Sequence, residues 1–256
     1  MCGDILTFTR MEGFNKLSKI SAKFREKTKL YLFIDFDLSL VLDNHWSLLS
    51  GTFSESGKQK NSEIDRKYME KHITKNLTEI EELSWMSDKI QLFKEENVGL
   101  ENIKSVAKNI KLRRNAKALI DIFKPENTII ISYGIYDIIS EFVETNELGN
   151  VTIFANRLAY DCNNTLDGFD QSSVVTPNLK GKILTDYCIK NDIDFRNIVV
   201  IGDSKGDETM FLKNTLNILV NTNGNIHSIK NVDLILKTTD FKPVVLLITQ
   251  PLPKYY

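Results

Sequence analysis

Short unbroken apolar runs recur along the chain and, in its second half, alternate with stretches whose apolar residues return at helical spacing. The first run, Leu30 to Ile34, is aromatic-rich and too short for a helix, so it predicts a buried, parallel-type strand. Thr128 to Ile131, Asn150 to Ala155, Asn197 to Ile201, Leu216 to Val220 and Val232 to Leu236 repeat the pattern. Helical spacing predicts helices over Ala116 to Phe123, closed by Pro125, and over Ile135 to Thr145, Lys180 to Lys190 and Asp207 to Leu212. A last helix follows Asp240, with Pro243 near its first turn. Arg157 to Tyr160 together with Asp167-Gly168 suggests a small hairpin. Strands alternating with helices argue for a parallel sheet covered on both faces, with ligands at the carboxyl ends of the strands.

Between Asp43 and Arg113 the strand signal disappears. His45 to Ser54 reads as a turn and loop around Gly51. Ser62 with Asp65 three residues on predicts a helix start, and Ile64, Tyr68, Ile73, Leu77 and Ile80 follow helical spacing. Further helices are expected over Glu82 to Glu95 and Leu100 to Ile110. At the other end, residues 10–29 carry seven Lys/Arg and two Asp/Glu around Phe14, Leu17, Ile20 and Phe24. This predicts a basic amphipathic helix packed on the first strand rather than on a membrane surface. The expected architecture is α/β: a Rossmann-like parallel sheet core over residues 1–43 and 113–256, residues 1–28 being a helical extension, with an inserted helical cap domain over 44–112.

Composition narrows the function. The chain has 256 residues, 42% of them hydrophobic, enough for a large domain and a smaller one, and its net charge of −1 supplies no global field for nucleic acid or an anionic membrane. Cys2, Cys162 and Cys188 match neither a disulfide framework nor a zinc spacing. No stretch approaches the ~20 apolar residues of a membrane span. The expectation is a cytoplasmic protein.

The polar residues at strand ends carry the chemistry. Asp35 and Asp37 flank Phe36 at the end of the first strand, where side chains two apart face the same way. An isolated D-x-D of this kind is also a common turn, but two carboxylates on one site need a shared proton or a divalent cation, and oxygen ligands suit Mg2+. Ser132 ends the second strand, Lys180 begins a helix, and Gly202-Asp203-Ser204-Lys205-Gly206-Asp207 follows a later strand. One crevice holding them all would support phosphoryl transfer through a carboxylate nucleophile.

In order and spacing, Asp35-Phe36-Asp37-Leu38-Ser39, Ser132, Lys180-Gly181 and the Gly202 to Asp207 segment resemble the four motifs of the haloacid dehalogenase-like phosphatase superfamily. The similarity is to its phosphoserine-phosphatase-like branch, which includes the cytosolic pyrimidine 5'-nucleotidases and carries a helical cap between the first two motifs. The resemblance covers residues 29 to about 240. It implies that Asp35 is the nucleophile forming an aspartyl-phosphate and Asp37 the general acid and then base. It further implies Mg2+ bound by Asp35, the backbone carbonyl of Asp37 and Asp203, with Asp207 behind them. Ser132 and the N–H groups of Tyr133 and Gly134, at a helix N-terminus, would hold the phosphate, and Lys180 would neutralise it. Gly206 would let the backbone turn close to the acidic site.

Two residues depart from the pattern. Ser39 stands where relatives often have Thr, and Tyr133 where the nucleotidases have a small residue. Arg113 and Arg114 read as solvated, with substrate contact as the alternative. The implied activity is a Mg2+-dependent phosphomonoester hydrolase on a small phosphorylated metabolite, a nucleoside monophosphate or an amino-acid or sugar phosphate. A phosphotransferase or phosphomutase using the same intermediate is the alternative, and a catalytically silent binding relative is disfavoured because Asp35, Asp37, Lys180 and Asp203 are all present.

Overall fold

The computed structural model describes residues 6–73, 77–162, 166–220 and 229–250. Its centre is a seven-stranded sheet in the order β1-β9-β8-β7-β2-β3-β4, made of β1 (Leu6–Phe8), β2 (Tyr31–Ile34), β3 (Thr128–Ile135), β4 (Thr152–Asn156), β7 (Ile198–Gly202), β8 (Leu216–Val220) and β9 (Leu234–Leu236). Only β1 is antiparallel to its neighbour. A short hairpin, β5 (Leu158–Tyr160) with β6 (Leu166–Phe169), stands apart.

Alternation sorts the strands' apolar side chains between two cores. Leu32 and Ile34 of β2, with Val199 and Ile201 of β7, join the core that holds Leu17 and Ile20 of α1 (Met11–Arg25), Leu119 of α6 (Ala116–Phe123), Ile138 of α7 (Tyr136–Thr145) and Val244 of α9 (Lys242–Thr249). Phe33 and Val200 point the other way, against Leu184 and Cys188 of α8 (Lys180–Lys190). Burial on both faces explains why these strands are continuous apolar runs. The chain leaves β2 towards β3 on one side and returns through β7 on the other, so the crevice beyond β2 and β7 lies at a switch point in strand order.

Between Asp43 and Arg113 lie four helices: α2 (His45–Ser50), α3 (Glu55–Ile73), α4 (Glu79–Glu95) and α5 (Leu100–Asn109). Several of these elements differ from the expected ones. Residues 45–50 form a helix, started by Asn44, whose side-chain oxygen accepts from the Ser47 N–H at 3.0 Å. Its apolar residues are too few to set a period, so the glycine after it dominated the reading. Ser62 lies inside α3, where its hydroxyl donates back to the Lys58 carbonyl at 3.0 Å. The capping box sits instead at Thr78 and Glu81, at the start of α4.

The ends of the core differ as well. The N-terminal segment contains β1 before its helix, and α1 packs chiefly against α9 and β8 rather than on β2. Residues 205–210 form tight helical turns rather than an α-helix. Cys188 is buried and Cys162 exposed, while Cys2 lies outside the described residues. Among the described residues no helix is long and apolar enough to cross a membrane.

Candidate active site

The strand β2 ends at Ile34, and Asp35 continues its ladder by donating its N–H to the Ile201 carbonyl at 2.9 Å. The backbone then turns sharply: Asp35 and Asp37 are extended, whereas Leu38 adopts the left-handed region at φ 57°, which is costly for a branched side chain. Arg113 holds this turn. Its guanidinium is buried and donates to the carbonyls of Ser39 (2.8 Å), Leu38 (2.6 Å) and Thr238 (2.9 Å), with the Phe241 ring 5.4 Å away. The expectation of a solvated or substrate-contacting Arg113 is thus overturned. Arg114 is exposed and forms a backbone bridge to Asp240.

Lys180, at the start of α8, is buried between two carboxylates, its ammonium 2.6 Å from Oδ1 of Asp35 and 2.6 Å from Oδ1 of Asp207. Gly181 is required beside it, since a Cβ there would lie 2.1 Å from the Thr209 carbonyl oxygen. Asp207 is fully buried and uses its other oxygen as well, accepting from the N–H groups of Asp203 (3.0 Å) and Ser204 (3.2 Å). It therefore fixes the loop after β7 and the lysine together. Gly202 makes room for it: a Cβ at Gly202 would meet the Asp207 Cβ at 2.5 Å. Gly206, expected to provide that close approach, has no atom nearer than 3.3 Å to such a Cβ and no left-handed backbone. Ser39 donates to Asp203 at 3.5 Å.

Asp35, Asp203 and Asp207 each offer one oxygen within 4.8 Å of the others. Burial, with Lys180 opposing it, pushes the Asp35 carboxyl up to about 7, and burial with Asp207 and Asp35 nearby holds Asp203 well above the carboxylate range. Burial disfavours the Lys180 ammonium too, but its two carboxylates outweigh that and raise it above the ordinary lysine value. Three carboxylates thus converge where one ammonium lies in contact, a donor set that a divalent cation bound by oxygens fits. Since both Asp207 oxygens are engaged, Asp35 and Asp203 are the members with oxygens to spare.

Asp35, Asp37, Ser132, Tyr133, Gly134, Lys180 and Asp203 line one cavity of about 330 Å3. Around Ser132 the structure departs from expectation. The strand β3 runs on to Ile135, with a register shift between Ile131 and Ile135, instead of ending at Ile131, and α7 begins at Tyr136, one residue after the expected Ile135. The Gly134 N–H donates to the Ser132 hydroxyl at 3.0 Å and the Ile135 N–H to the His45 ring at 2.9 Å. The far wall comes from the helical segment: Trp46, Met69, Trp85 and Met86, with Asn61, Asp65 and Lys89. Lys89 contacts Asp65 at 2.6 Å and Asn61 at 2.5 Å, while Trp85 donates to Asp65 at 3.2 Å. Burial lowers the Lys89 ammonium's pKa. The Tyr133 hydroxyl reaches the Glu82 carbonyl at 3.3 Å, tying the β3 turn to α4.

Sequence reasoning missed His45, Lys89 and the aromatic wall. Their elements carried helical or loop signals, but nothing local says which face meets a crevice formed by residues far away in the chain.

Comparison with known proteins gives consistent matches. Residues 41–221 match the family model for pyrimidine 5'-nucleotidase (UMPH-1), a span that begins after Asp37 and takes in Ser132, Lys180, Asp203 and Asp207. A phosphoserine phosphatase of Methanocaldococcus jannaschii is 26% identical over 194 residues, 75% of this chain and 86% of that protein. Among solved structures, cytosolic 5'-nucleotidase IIIB bound to cytidine superposes with a TM-score of 0.71 at 17% identity, covering 95% of this chain and 93% of that one. A substrate-bound phosphoserine phosphatase superposes at 0.64 with 20% identity, covering 86% and 99%.

Proposed function

The chain belongs to the pyrimidine 5'-nucleotidase (UMPH-1) family and is a phosphatase; from that premise we propose that it hydrolyses small phosphomonoesters with Mg2+ through an aspartyl-phosphate on Asp35. The observation that carries this reading is the Lys180 ammonium held between Asp35 and Asp207 on the floor of a cavity that Asp203 and Asp37 also line.

In this reading the free oxygen of Asp35 attacks phosphorus while Lys180, bound to the other oxygen, favours the ionised carboxylate against its burial and faces the phosphoryl group. Asp37 gives its proton to the departing oxygen, then takes one from the water that cleaves the acyl-phosphate. Ser132 and the Tyr133 N–H face the phosphoryl oxygens. Bound by Asp35, Asp203 and the backbone carbonyl of Asp37, with Asp207 behind them, Mg2+ would supply positive charge against those oxygens. Residues 44–112 act as a cap over the carboxyl ends of the strands and exclude bulk water while the acyl-phosphate exists.

The leaving group lies against the cap. Trp46, Trp85 and Tyr133 offer flat apolar faces, and Asn61, Asp65 and Lys89 offer polar groups, which suits a nucleoside better than a serine or a bare sugar. The family and the cytidine-bound neighbour support the same preference. A cytoplasmic setting accords with this substrate class.

The test is kcat/KM for pyrimidine and purine nucleoside 5'-monophosphates, phosphoserine, sugar phosphates, a phosphopeptide and a 5'-phosphorylated oligonucleotide, with Mg2+ and with EDTA. A nucleoside monophosphate should rank first and EDTA should abolish turnover. Preference for either large substrate, or full activity in EDTA, would overturn the reading.

A further inference from the structure

His45 is fully buried at the first position of α2, yet both nitrogens of its ring are engaged. Nδ1 lies 2.7 Å from Oδ1 of Asp37, and the His45 backbone N–H donates to that same oxygen at 3.1 Å. On the opposite side of the ring, Nε2 accepts the Ile135 N–H at 2.9 Å. That bond fixes the tautomer: Nε2 presents its lone pair, so the ring proton sits on Nδ1 and is donated to Asp37. Packing holds the ring in place. Phe36 meets it edge-on at 5.8 Å and Trp46 stacks on it at 5.8 Å. Gly134 makes room for the ring, since a Cβ there would lie 2.0 Å from the His45 Cε1.

We propose that His45 is a positioning residue for the phosphoryl-transfer step: it pins Oδ1 of Asp37, leaving Oδ2 to face the departing oxygen, and anchors that carboxylate to the turn that carries Ser132. The inference rests on the reading of Asp37 as general acid. A carboxyl side chain has a free rotation about its last bond, and the two donors converging on one oxygen remove it. Because His45 opens the helical segment while Asp37 and Ile135 belong to the core, the acid is set in place by the first helical residue of the proposed cap. The arrangement therefore couples the cap's attachment to the orientation of the acid.

A leaving-group comparison tests this. The p-nitrophenolate of p-nitrophenyl phosphate departs readily without a proton, whereas the phenolate of phenyl phosphate, nearly the same shape, needs one. The ratio of their kcat/KM values cancels any loss of folded enzyme and reports on the acid alone. Asp37→Asn should lower the phenyl to p-nitrophenyl ratio by about a hundredfold, within the usual range for general acid catalysis. His45→Gln, whose amide reaches the Nε2 position but not Nδ1, should lower it by about tenfold. His45→Asn, which places an N–H donor near Nδ1, should restore most of the ratio while giving up the bond to Ile135. If Asp37→Asn shifts the ratio and His45→Gln leaves it at the wild-type value, the positioning role is wrong and the acid stands. Equal shifts in His45→Gln and His45→Asn would likewise overturn the role. If Asp37→Asn itself leaves the ratio unchanged, the general-acid reading fails and the positioning proposal with it.

Discussion

Arg113 and Asp35 stand at opposite ends of what a residue reveals about itself. Asp35 and Asp37 declare themselves because they follow an apolar strand and are spaced to share a site. Arg113 resembles any pair-mate on a helix-flanking segment, and its role depends on three carbonyls, two of them more than seventy residues earlier and one far later. A buried guanidinium on backbone carbonyls is worth keeping because the alternative is three unsatisfied acceptors beside a left-handed Leu38. Arg113→Met should therefore cost about 3 kcal/mol, the scale of losing charged, buried hydrogen bonds. Urea denaturation would measure it, and a cost below about 1 kcal/mol would mean that the turn is held by other contacts. His45 was hidden for the same reason: histidine at the head of a short helix carries no signal until Asp37 and Ile135 are brought to its two nitrogens.

At the scale of elements, the parallel strands were legible because burial on both faces writes them as unbroken apolar runs, and helices such as α4, α5 and α7 because their apolar residues return at a helical period. The longest helix, α3, was read as starting at Ser62 because its first seven residues carry no apolar side chain. The helix α2 has only six residues, too few for a period, and its start depends on the Asn44 cap. The length of β3 was misjudged because Ser132, Tyr133 and Gly134 look like a turn, whereas the chain keeps pairing with β4 through a shifted register to Ile135. Capping has a testable consequence at α2. Asn44→Ala should destabilise the protein by about 1 kcal/mol, and, because α2 carries His45 and Trp46, it should lower kcat/KM by more than the loss of folded protein accounts for. Chemical denaturation and kinetics on one preparation decide this; an unchanged stability would show that tertiary packing alone sets the helix.

For the whole molecule, the chain organises a sheet whose switch point between β2 and β7 gathers acidic groups contributed by residues 35 to 207. The alternating pattern implied that crevice and the strand-free insert a helical cap, but neither could say which side chains line it, since Trp46 of α2 and Trp85 of α4 reach the cavity from elements distant in the chain. Converging carboxylates leave the metal-free protein with self-repulsion, so Mg2+ should raise its thermal stability. At a hundredfold excess over the dissociation constant the gain is about 2.7 kcal/mol, several degrees in Tm. Asp203→Asn should lose most of that gain, and a Tm indifferent to Mg2+ in the wild type would remove the metal from the site.

Rapid quenching of the enzyme during turnover, followed by borohydride reduction and peptide mass spectrometry, tests directly for a covalent phosphoryl group on Asp35. A Mg2+-dependent acyl-phosphate should be trapped at Asp35 and be absent from Asp35→Asn. Turnover with no trapped phosphoryl group, or one found on another residue, would contradict a covalent route through Asp35.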